Sequence, residues 1–295
     1  MRQPIADVTI PLVTVLDAHG RPDAEAARPL LAHLASGGVT ALMLAGTNGE
    51  GPVLSGVAVR SYAAEIGAMW RELVGPGATV LVTAAGAGTR DTLERIDLLA
   101  DVGLDAIVVL APFYFRHTEH ELQAHFRAAA GRGRPVVVYN SPGYTGNPLT
   151  LPLVSRLREI PGIVGLKDSS GDAALFESFC ALGGPEFGVA QGAERQLTRG
   201  LRAGAVGTVP GVGMIAPRLC VDLVAQVARG DDAGADSSQE QVDELTRIFS
   251  VRPGASGIVV MKSALHLLGL CPPHAAAPFA PLTADEFAAL RALLP

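Results

Sequence analysis

A lysine, Lys167, directly follows a short apolar run near the middle of the chain. The surrounding stretch is Gly162-Ile163-Val164-Gly165-Leu166-Lys167-Asp168-Ser169-Ser170-Gly171-Asp172. The apolar run 163–166 predicts a buried strand of a parallel sheet, and residues 168–172 are of the types that begin helices. A lysine at the carboxyl end of such a strand would lie in a partly dry pocket, where its free amine can act as a nucleophile. Pairing with Asp168 is the alternative, and this stretch alone does not separate the two.

The rest of the chain indicates how such a lysine would be positioned. Eight short apolar segments predict strands, each followed by a segment with helical periodicity. Because eight strand–helix units in sequence favour a closed parallel barrel, we expect a (β/α)8 TIM barrel over residues 1–230. The predicted strands are 8–15, 39–44, 78–83, 105–110, 135–139, 163–166, 186–190 and 205–209, and the predicted helices include 22–35, 118–130, 149–158, 194–202 and 216–229.

Helix starts and the C-terminal segment complete this prediction. Ser55 and Thr89 are expected N-caps, and Thr283 with Glu286 has the spacing of a capping box. The polar residues 231–240 predict a loop. Helices are expected near 241–251, 256–268 and 283–294, so that residues 231–295 form a helical extension of the barrel.

Catalytic groups of such a barrel lie at the carboxyl ends of its strands. This rule selects Thr14, Thr47, Asn48, Tyr114, Tyr139, Asn140, Lys167 and the loops that hold Gly192 and Gly211. Tyr139 and Lys167 would then lie on neighbouring strands, close enough to reach one small substrate. Tyr139 is a candidate for proton transfer, although it could instead be a structural hydroxyl with a satisfied hydrogen bond.

Three motifs at strands 2, 5 and 6 resemble one enzyme superfamily. They are Gly46-Thr47-Asn48-Gly49-Glu50, Tyr139-Asn140-Ser141-Pro142 and Gly165-Leu166-Lys167-Asp168. In order, spacing and position they are similar to those of the dihydrodipicolinate synthase and N-acetylneuraminate lyase superfamily of pyruvate-handling Schiff-base aldolases. The resemblance covers most of the chain.

The resemblance implies a role for each matching residue. Lys167 would form an imine with a 2-oxo acid, Tyr139 would transfer protons, and Thr47 would link Tyr139 to solvent. The Thr47 and Asn48 amides would hold the substrate carboxylate, in a loop that Gly46 and Gly49 allow to turn tightly. Tyr114 would enter the proton relay of a neighbouring subunit, which implies a homodimer or homotetramer.

The residues expected to choose the second substrate depart from the family patterns. Tyr144 stands where the synthases carry an arginine, and Gly211 where the neuraminate lyases carry a serine. Glu194-Arg195 replaces an acidic pair, and Asn48 replaces a hydroxyl. Besides Asn48, Tyr144 and Glu194, we expect Gly46, Gly192 and Val209 to contact the substrate.

Composition excludes several other functions. The net charge of −6 and the absence of a basic tract make nucleic acid an unexpected partner. Cys180, Cys220 and Cys271 are scattered and suggest neither disulfides nor zinc, which fits a reducing, cytoplasmic location. Asp7 interrupts any signal-type run, and no stretch is apolar enough for a membrane span.

Two further patterns suggest no cofactor. Gly86-Ala87-Gly88 lacks the third glycine of a dinucleotide fingerprint. His117, His120 and His125 come without a strand-end carboxylate, which favours a solvated helix start over a metal site.

We therefore predict a lyase or aldolase that joins pyruvate, or another 2-oxo acid, to an aldehyde without cofactor or metal. The substrate class suggested by the departures is a 2-oxo-3-deoxy sugar acid or a related compound. Three alternatives stay open at this point: 4-hydroxy-tetrahydrodipicolinate synthase, a dehydratase of 2-oxo-3-deoxy acids, and a non-catalytic 2-oxo acid binder.

Overall fold

The computed structural model describes residues 3–294 and contains a closed barrel of eight parallel strands. Each strand pairs with the next, and the last pairs with the first. The predicted (β/α)8 barrel is therefore confirmed. The strands are β1 (Asp7–Pro11), β2 (Ala41–Leu44), β3 (Thr79–Ala84), β4 (Ala106–Leu110), β5 (Val136–Asn140), β6 (Ile163–Asp168), β7 (Gly188–Gln191) and β8 (Gly207–Thr208).

Helices follow every strand and surround the barrel. They are α1 (Arg28–Ser36), α2 (Gly56–Val74), α3 (Thr89–Leu98), α4 (Glu119–Ala130), α5 (Pro142–Thr145), α6 (Leu151–Leu157), α7 (Ala173–Cys180), α8 (Leu197–Arg202), α9 (Pro217–Ala228), α10 (Asp232–Leu245), α11 (Ile258–Leu267) and α12 (Ala284–Leu293). Several predicted elements are shorter in the structure. The first strand ends at Pro11, and α1 begins only at Arg28, after a 3-10 turn at Glu25–Ala27.

The strands are apolar because both of their faces are buried. Inside the barrel, Met43, Leu81, Val108 and Val137 belong to one apolar cluster. Outward-facing strand residues pack against the helices in a second and much larger cluster, which includes Trp70 of α2. Packing on both faces holds the strands in place and so fixes the positions of their carboxyl ends.

Side-chain caps explain several helix starts. Ser55 Oγ accepts a hydrogen bond from the Ala58 N–H, as predicted, and Thr283 with Glu286 forms the predicted capping box. The prediction for Thr89 is wrong. Gly88 is the N-cap of α3, and Thr89 Oγ1 instead lies 3.0 Å from Nδ1 of His125.

The predicted loop 231–240 is also wrong, because this segment lies in α10. Asp231 caps the helix by accepting a hydrogen bond from the Gly234 N–H, and Ala235, Ser238 and Val242 are buried along it. α10 packs against α9 and α8 of the barrel. Burial of one small-residue face stabilises a helix whose composition is typical of a loop. The division of the chain at residue 230 stays a prediction.

Among residues 3–294 there is no helix long and apolar enough to cross a membrane. The prediction that the chain starts without a signal-type run includes Met1 and Arg2, which lie outside the described residues.

Candidate active site

Lys167 and Tyr139 lie side by side on neighbouring strands, as predicted. They are direct partners in the pairing of β5 with β6, and Lys167 Nζ lies 4.0 Å from the centroid of the Tyr139 ring. This arrangement depends on a register shift near Val164. Val136 pairs with Ile163, whereas Val137 pairs with Gly165.

The register shift determines which way the lysine points. Ile163 packs outward, in the layer between barrel and helices, and strict alternation would send residue 167 outward as well. The extra residue changes the phase, so that Leu166 packs outward and Lys167 faces the cavity at the top of the barrel. Bulges commonly re-aim side chains next to active sites.

The Lys167 amine is buried and has no carboxylate partner. The residue is 4 % exposed, and its Nζ lies 3.9 Å from Met43 Sδ. In the described part of the chain no acidic side chain lies within ion-pair distance of Nζ. Pairing with Asp168 is excluded, because that carboxylate accepts hydrogen bonds from Asn140 Nδ2 at 2.6 Å and Ser170 Oγ at 2.8 Å.

Asn140 is consequently a structural residue. Its side-chain oxygen accepts from the Leu149 N–H, and its amide nitrogen donates to Asp168, so both ends are occupied. Asn140 does not line the cavity. The strand-end rule selects Asn140, but the fold itself uses both ends of its side-chain amide.

The Tyr139 phenol is buried in a setting that favours its ionisation. Burial raises its pKa, but the Lys167 charge and the hydrogen-bonding hydroxyls of Ser169, Ser141 and Thr47 together act in the opposite direction. The net result is a pKa lowered from its ordinary value near 10 to about 8. Such a phenol is suited to accept and return protons near neutral pH.

The loop after β2 presents two free backbone donors. Glu50 N–H donates to the Thr47 carbonyl, and Thr14 Oγ1 donates to the Gly49 carbonyl at 2.6 Å. Within residues 3–294, neither the Thr47 nor the Asn48 N–H has a hydrogen-bond acceptor. Two such amides beside a lysine form a site for a small anion such as a carboxylate.

The left-handed residues of this loop are Ala45 and Glu50, with φ of 52° and 58°. Gly46 and Gly49 are required for a different reason than the one expected, since a Cβ on Gly49 would lie 2.8 Å from the backbone nitrogen of Ala45. Gly46 packs against Met43 below the loop and does not line the cavity, so its expected contact with the substrate is indirect.

A cavity of about 380 Å³ brings most of the expected residues together. Its walls come from the ends of several strands and from the C-terminal extension. The lining residues are Pro11, Thr47, Asn48, Tyr139, Ser141, Gly143, Tyr144, Lys167, Ser169, Ser170, Gly192, Glu194, Val209, Gly211, Phe249 and Gly257. Gly192 must be glycine, because a Cβ there would meet Ser169 Oγ at 2.2 Å and Lys167 Cε at 3.0 Å.

Glu194 is fixed opposite the lysine by backbone donors. Its Oε1 accepts from the Val212 N–H at 2.7 Å, and the Gly211 N–H donates to the same carboxyl group. Burial raises its pKa against the effect of these bonds. Arg195 does not line the cavity. It lies on a neighbouring groove and donates from Nε to Thr246 Oγ1 at 3.2 Å.

Tyr114 is not part of the cavity in its own chain. Its side chain is 85 % exposed, its φ is 84°, and its ring packs edge-on against Phe115 at 4.8 Å. A bulky residue with positive φ and an exposed ring is unusual and is a feature of functional positions.

Of the three histidines near α4, only His125 differs from the expected solvated helix start, whereas His120 is exposed and His117 half-buried. His125 is buried, with Nε2 3.0 Å from the Leu110 carbonyl, and burial lowers its pKa to about 4. It therefore connects α4 to β4 and α3 as a neutral side chain.

Sequence reasoning missed several lining residues. Ser141 and Ser169 directly follow Asn140 and Asp168 in the recognised motifs, so their positions after strand ends could have indicated them. Phe249 and Gly257 come from the C-terminal extension, and only the tertiary structure brings them to the barrel mouth.

Comparisons with known proteins agree with this geometry. The model of the dihydrodipicolinate synthetase family matches residues 4–295. The chain is 33 % identical over 290 residues to a 4-hydroxy-tetrahydrodipicolinate synthase of Corynebacterium aurimucosum, covering 96 % of this chain and 92 % of the relative. It is 32 % identical over 291 residues to the same-named protein of Ruegeria pomeroyi, covering 97 % of each.

Solved structures show the same similarity. A dihydrodipicolinate synthase of Bacteroides thetaiotaomicron superposes with a TM-score of 0.90 at 29 % identity, covering 99 % of each chain. YagE, a prophage protein of E. coli K12 solved in complex with pyruvate, superposes with a TM-score of 0.90 at 27 % identity, covering 98 % of this chain and 97 % of its own. The chain therefore belongs to the dihydrodipicolinate synthetase family and is a lyase of the class I aldolase type.

Proposed function

We propose that this lyase binds pyruvate as an imine on Lys167 and joins it to, or cleaves it from, a hydroxylated aldehyde without net charge. The observation that carries the proposal is the buried Lys167 amine, which has no acidic partner in the described chain and lies 4.0 Å from the Tyr139 ring. An amine in such a position is available for attack on a ketone.

The site supports the following sequence of steps. The free Thr47 and Asn48 amides bind the pyruvate carboxylate, and Lys167 Nζ adds to the neighbouring carbonyl carbon. The carbonyl oxygen takes one proton from the attacking amine and one from Tyr139, and leaves as water. The Tyr139 phenolate then removes a methyl proton from the iminium, which yields a neutral enamine. The enamine carbon attacks the aldehyde, and the aldehyde oxygen takes the proton back from Tyr139. Hydrolysis releases the product and the amine, and the reverse sequence cleaves the bond.

The cavity lining supports an aldehyde without negative charge. Its wall carries the neutral phenol of Tyr144 and the carboxyl group of Glu194, and no arginine from the described residues lines it. Glu194 and Tyr144 offer hydrogen bonds to hydroxyl groups, whereas an anionic aldehyde would lack a bidentate cation. A 2-oxo-3-deoxy sugar acid fits this lining, and the site does not distinguish its cleavage from its dehydration.

The second candidate is 4-hydroxy-tetrahydrodipicolinate synthase, which condenses pyruvate with aspartate semialdehyde. It is favoured by the names of relatives at 33 % and 32 % identity that span nearly the whole chain. The two candidates share the imine on Lys167 and differ in the aldehyde. A substitution at position 144, which lines the aldehyde side of the cavity, therefore distinguishes them.

Tyr144→Arg is expected to raise kcat/KM for aspartate semialdehyde by about 10²-fold, because it supplies a charge-assisted contact to the distal carboxylate. The rate with D-glyceraldehyde should fall or stay unchanged. Steady-state kinetics with both aldehydes at saturating pyruvate measure this change. Tyr144→Phe is the matched control, since it keeps the ring and adds no charge.

If the wild-type enzyme already prefers aspartate semialdehyde, at a rate typical of a good enzyme, the proposal of a sugar-derived aldehyde is wrong. The chain is then a 4-hydroxy-tetrahydrodipicolinate synthase. In that case Arg195, displaced from its contact with Thr246, would be the first residue to examine as the missing cation.

The exposed Tyr114 supports assembly into a homodimer or homotetramer in which each subunit lends Tyr114 to its neighbour, and the three free cysteines fit a cytoplasmic location. Tyr114→Phe and Lys167→Arg chains, each of low activity, are expected to regain activity when their subunits are mixed and allowed to exchange. Light scattering gives the oligomeric state in parallel. A monomer, or a mixture no more active than its components, would show that Tyr114 does not act across an interface.

A further inference from the structure

Among residues 3–294, one ion pair is wholly buried. It joins Glu50 to Lys262, and both side chains are 0 % exposed. Glu50 ends the loop that carries the free Thr47 and Asn48 amides, whereas Lys262 lies in α11, 212 residues later in the chain. Burial lowers the pKa of Lys262, and Glu50 acts in the opposite direction. Removal of one partner from such a pair leaves an uncompensated buried charge, which is strongly unfavourable.

Both ends of the pair have further fixed partners. The second carboxylate oxygen of Glu50 accepts from the Ala276 N–H at 2.6 Å, and Lys262 Nζ also donates to the His274 carbonyl at 2.7 Å. The C-terminal extension therefore holds Glu50 from two sides. Neither side chain lines the Lys167 cavity.

The backbone conformation of Glu50 shows why these contacts with the C-terminal extension matter for the loop. Its φ of 58° and ψ of 20° are left-handed, a conformation that a glutamate keeps only when its surroundings fix it. The N–H of the same residue closes the turn onto the Thr47 carbonyl at 3.1 Å, and the two free amides belong to Thr47 and Asn48, the first two residues of that turn. A rotation of Glu50 would therefore redirect both amides.

We propose that the Glu50–Lys262 pair is a positioning device for the substrate carboxylate, through which the C-terminal extension sets the affinity for the 2-oxo acid. The inference rests on the proposed function only in that pyruvate is the probe. Neither residue touches the substrate, and their effect passes through the Thr47 and Asn48 amides.

Lys262→Met is expected to raise KM for pyruvate about tenfold or more, because the unpaired carboxylate of Glu50 will move toward water and take the loop with it. The turnover number at saturating pyruvate should change less, since Lys167 and Tyr139 stay in place. The double variant Lys262→Met/Glu50→Gln removes both charges and keeps an acceptor for the Ala276 N–H. It should recover most of the affinity.

The control separates positioning from stability. Leu153→Ala shortens a fully buried side chain on α6, away from the cavity, and should lower Tm with KM for pyruvate unchanged. The measurements are Tm, KM, and the pyruvate concentration that gives half-maximal borohydride-trapped imine. Glu50→Asp, which keeps the charge on a shorter side chain, is the replacement if Lys262→Met does not fold, and it too should raise KM.

A fall in Tm with an unchanged pyruvate affinity in Lys262→Met, or in Glu50→Asp if that variant is used, would overturn the proposal and make the pair a purely structural one. Failure of the proposed function is recognised separately, since wild type would then trap no pyruvate at all.

Discussion

Borohydride reduction in the presence of pyruvate is expected to leave one reduced pyruvyl group on Lys167 and none on Lys262. The chain contains only these two lysines, and they differ sharply in surroundings. Lys167 faces the cavity, whereas Lys262 is 0 % exposed and bound to Glu50. Peptide mapping by mass spectrometry identifies the labelled residue.

The corresponding variant, Lys167→Arg, keeps a positive charge but carries no amine that can form an imine. Its turnover is expected to fall on the order of 10⁴-fold or more, as for the removal of other covalent nucleophiles. Circular dichroism and Tm serve as the control for folding. A label on Lys262, or a label that persists in Lys167→Arg, would show that the chemistry does not depend on Lys167.

The strand-end rule explains why much of this site could be predicted from the sequence. A buried parallel strand is a short apolar run, so the polar residue after each run identifies the barrel mouth. That reasoning located Lys167, Tyr139 and Thr47. It also selected Asn140, because sequence alone does not reveal that the Asn140 side chain is hydrogen-bonded to Asp168 and to the Leu149 N–H.

Other features depend on packing that no local pattern encodes. The inward direction of Lys167 depends on the register shift at Val164. The helical state of residues 231–240 depends on burial of Ala235 and Ser238. Phe249 reaches the cavity from far along the chain. In each case the tertiary fold overrides local composition, and sequence periodicity carries no signal of it.

Tyr139→Phe is expected to keep the fold and to bind the 2-oxo acid, but to form the imine more slowly and to lose turnover by about 10²-fold or more, as for a removed proton-transfer group. The phenylalanine ring can fill the same space beside Lys167, so the change removes only the hydroxyl. Rates of trapped imine and of steady-state turnover, measured on the same preparation, separate binding from chemistry. Ser141→Ala is the control, since it removes one hydroxyl partner of the phenol and leaves the phenol itself.

The pH dependence adds a second and independent test of Tyr139. Its pKa of about 8 lies below the ordinary value because Lys167 and three hydroxyls favour the ionised phenol despite burial. Ionisation of the Tyr139 phenol frees the base that the reaction uses, so kcat/KM should rise as pH increases through about 8. Below that pH the phenol keeps its proton and the rate falls. This limb should disappear in Tyr139→Phe. An unchanged pH profile, or an unchanged kcat with a raised KM, would make Tyr139 a binding residue rather than the proton carrier.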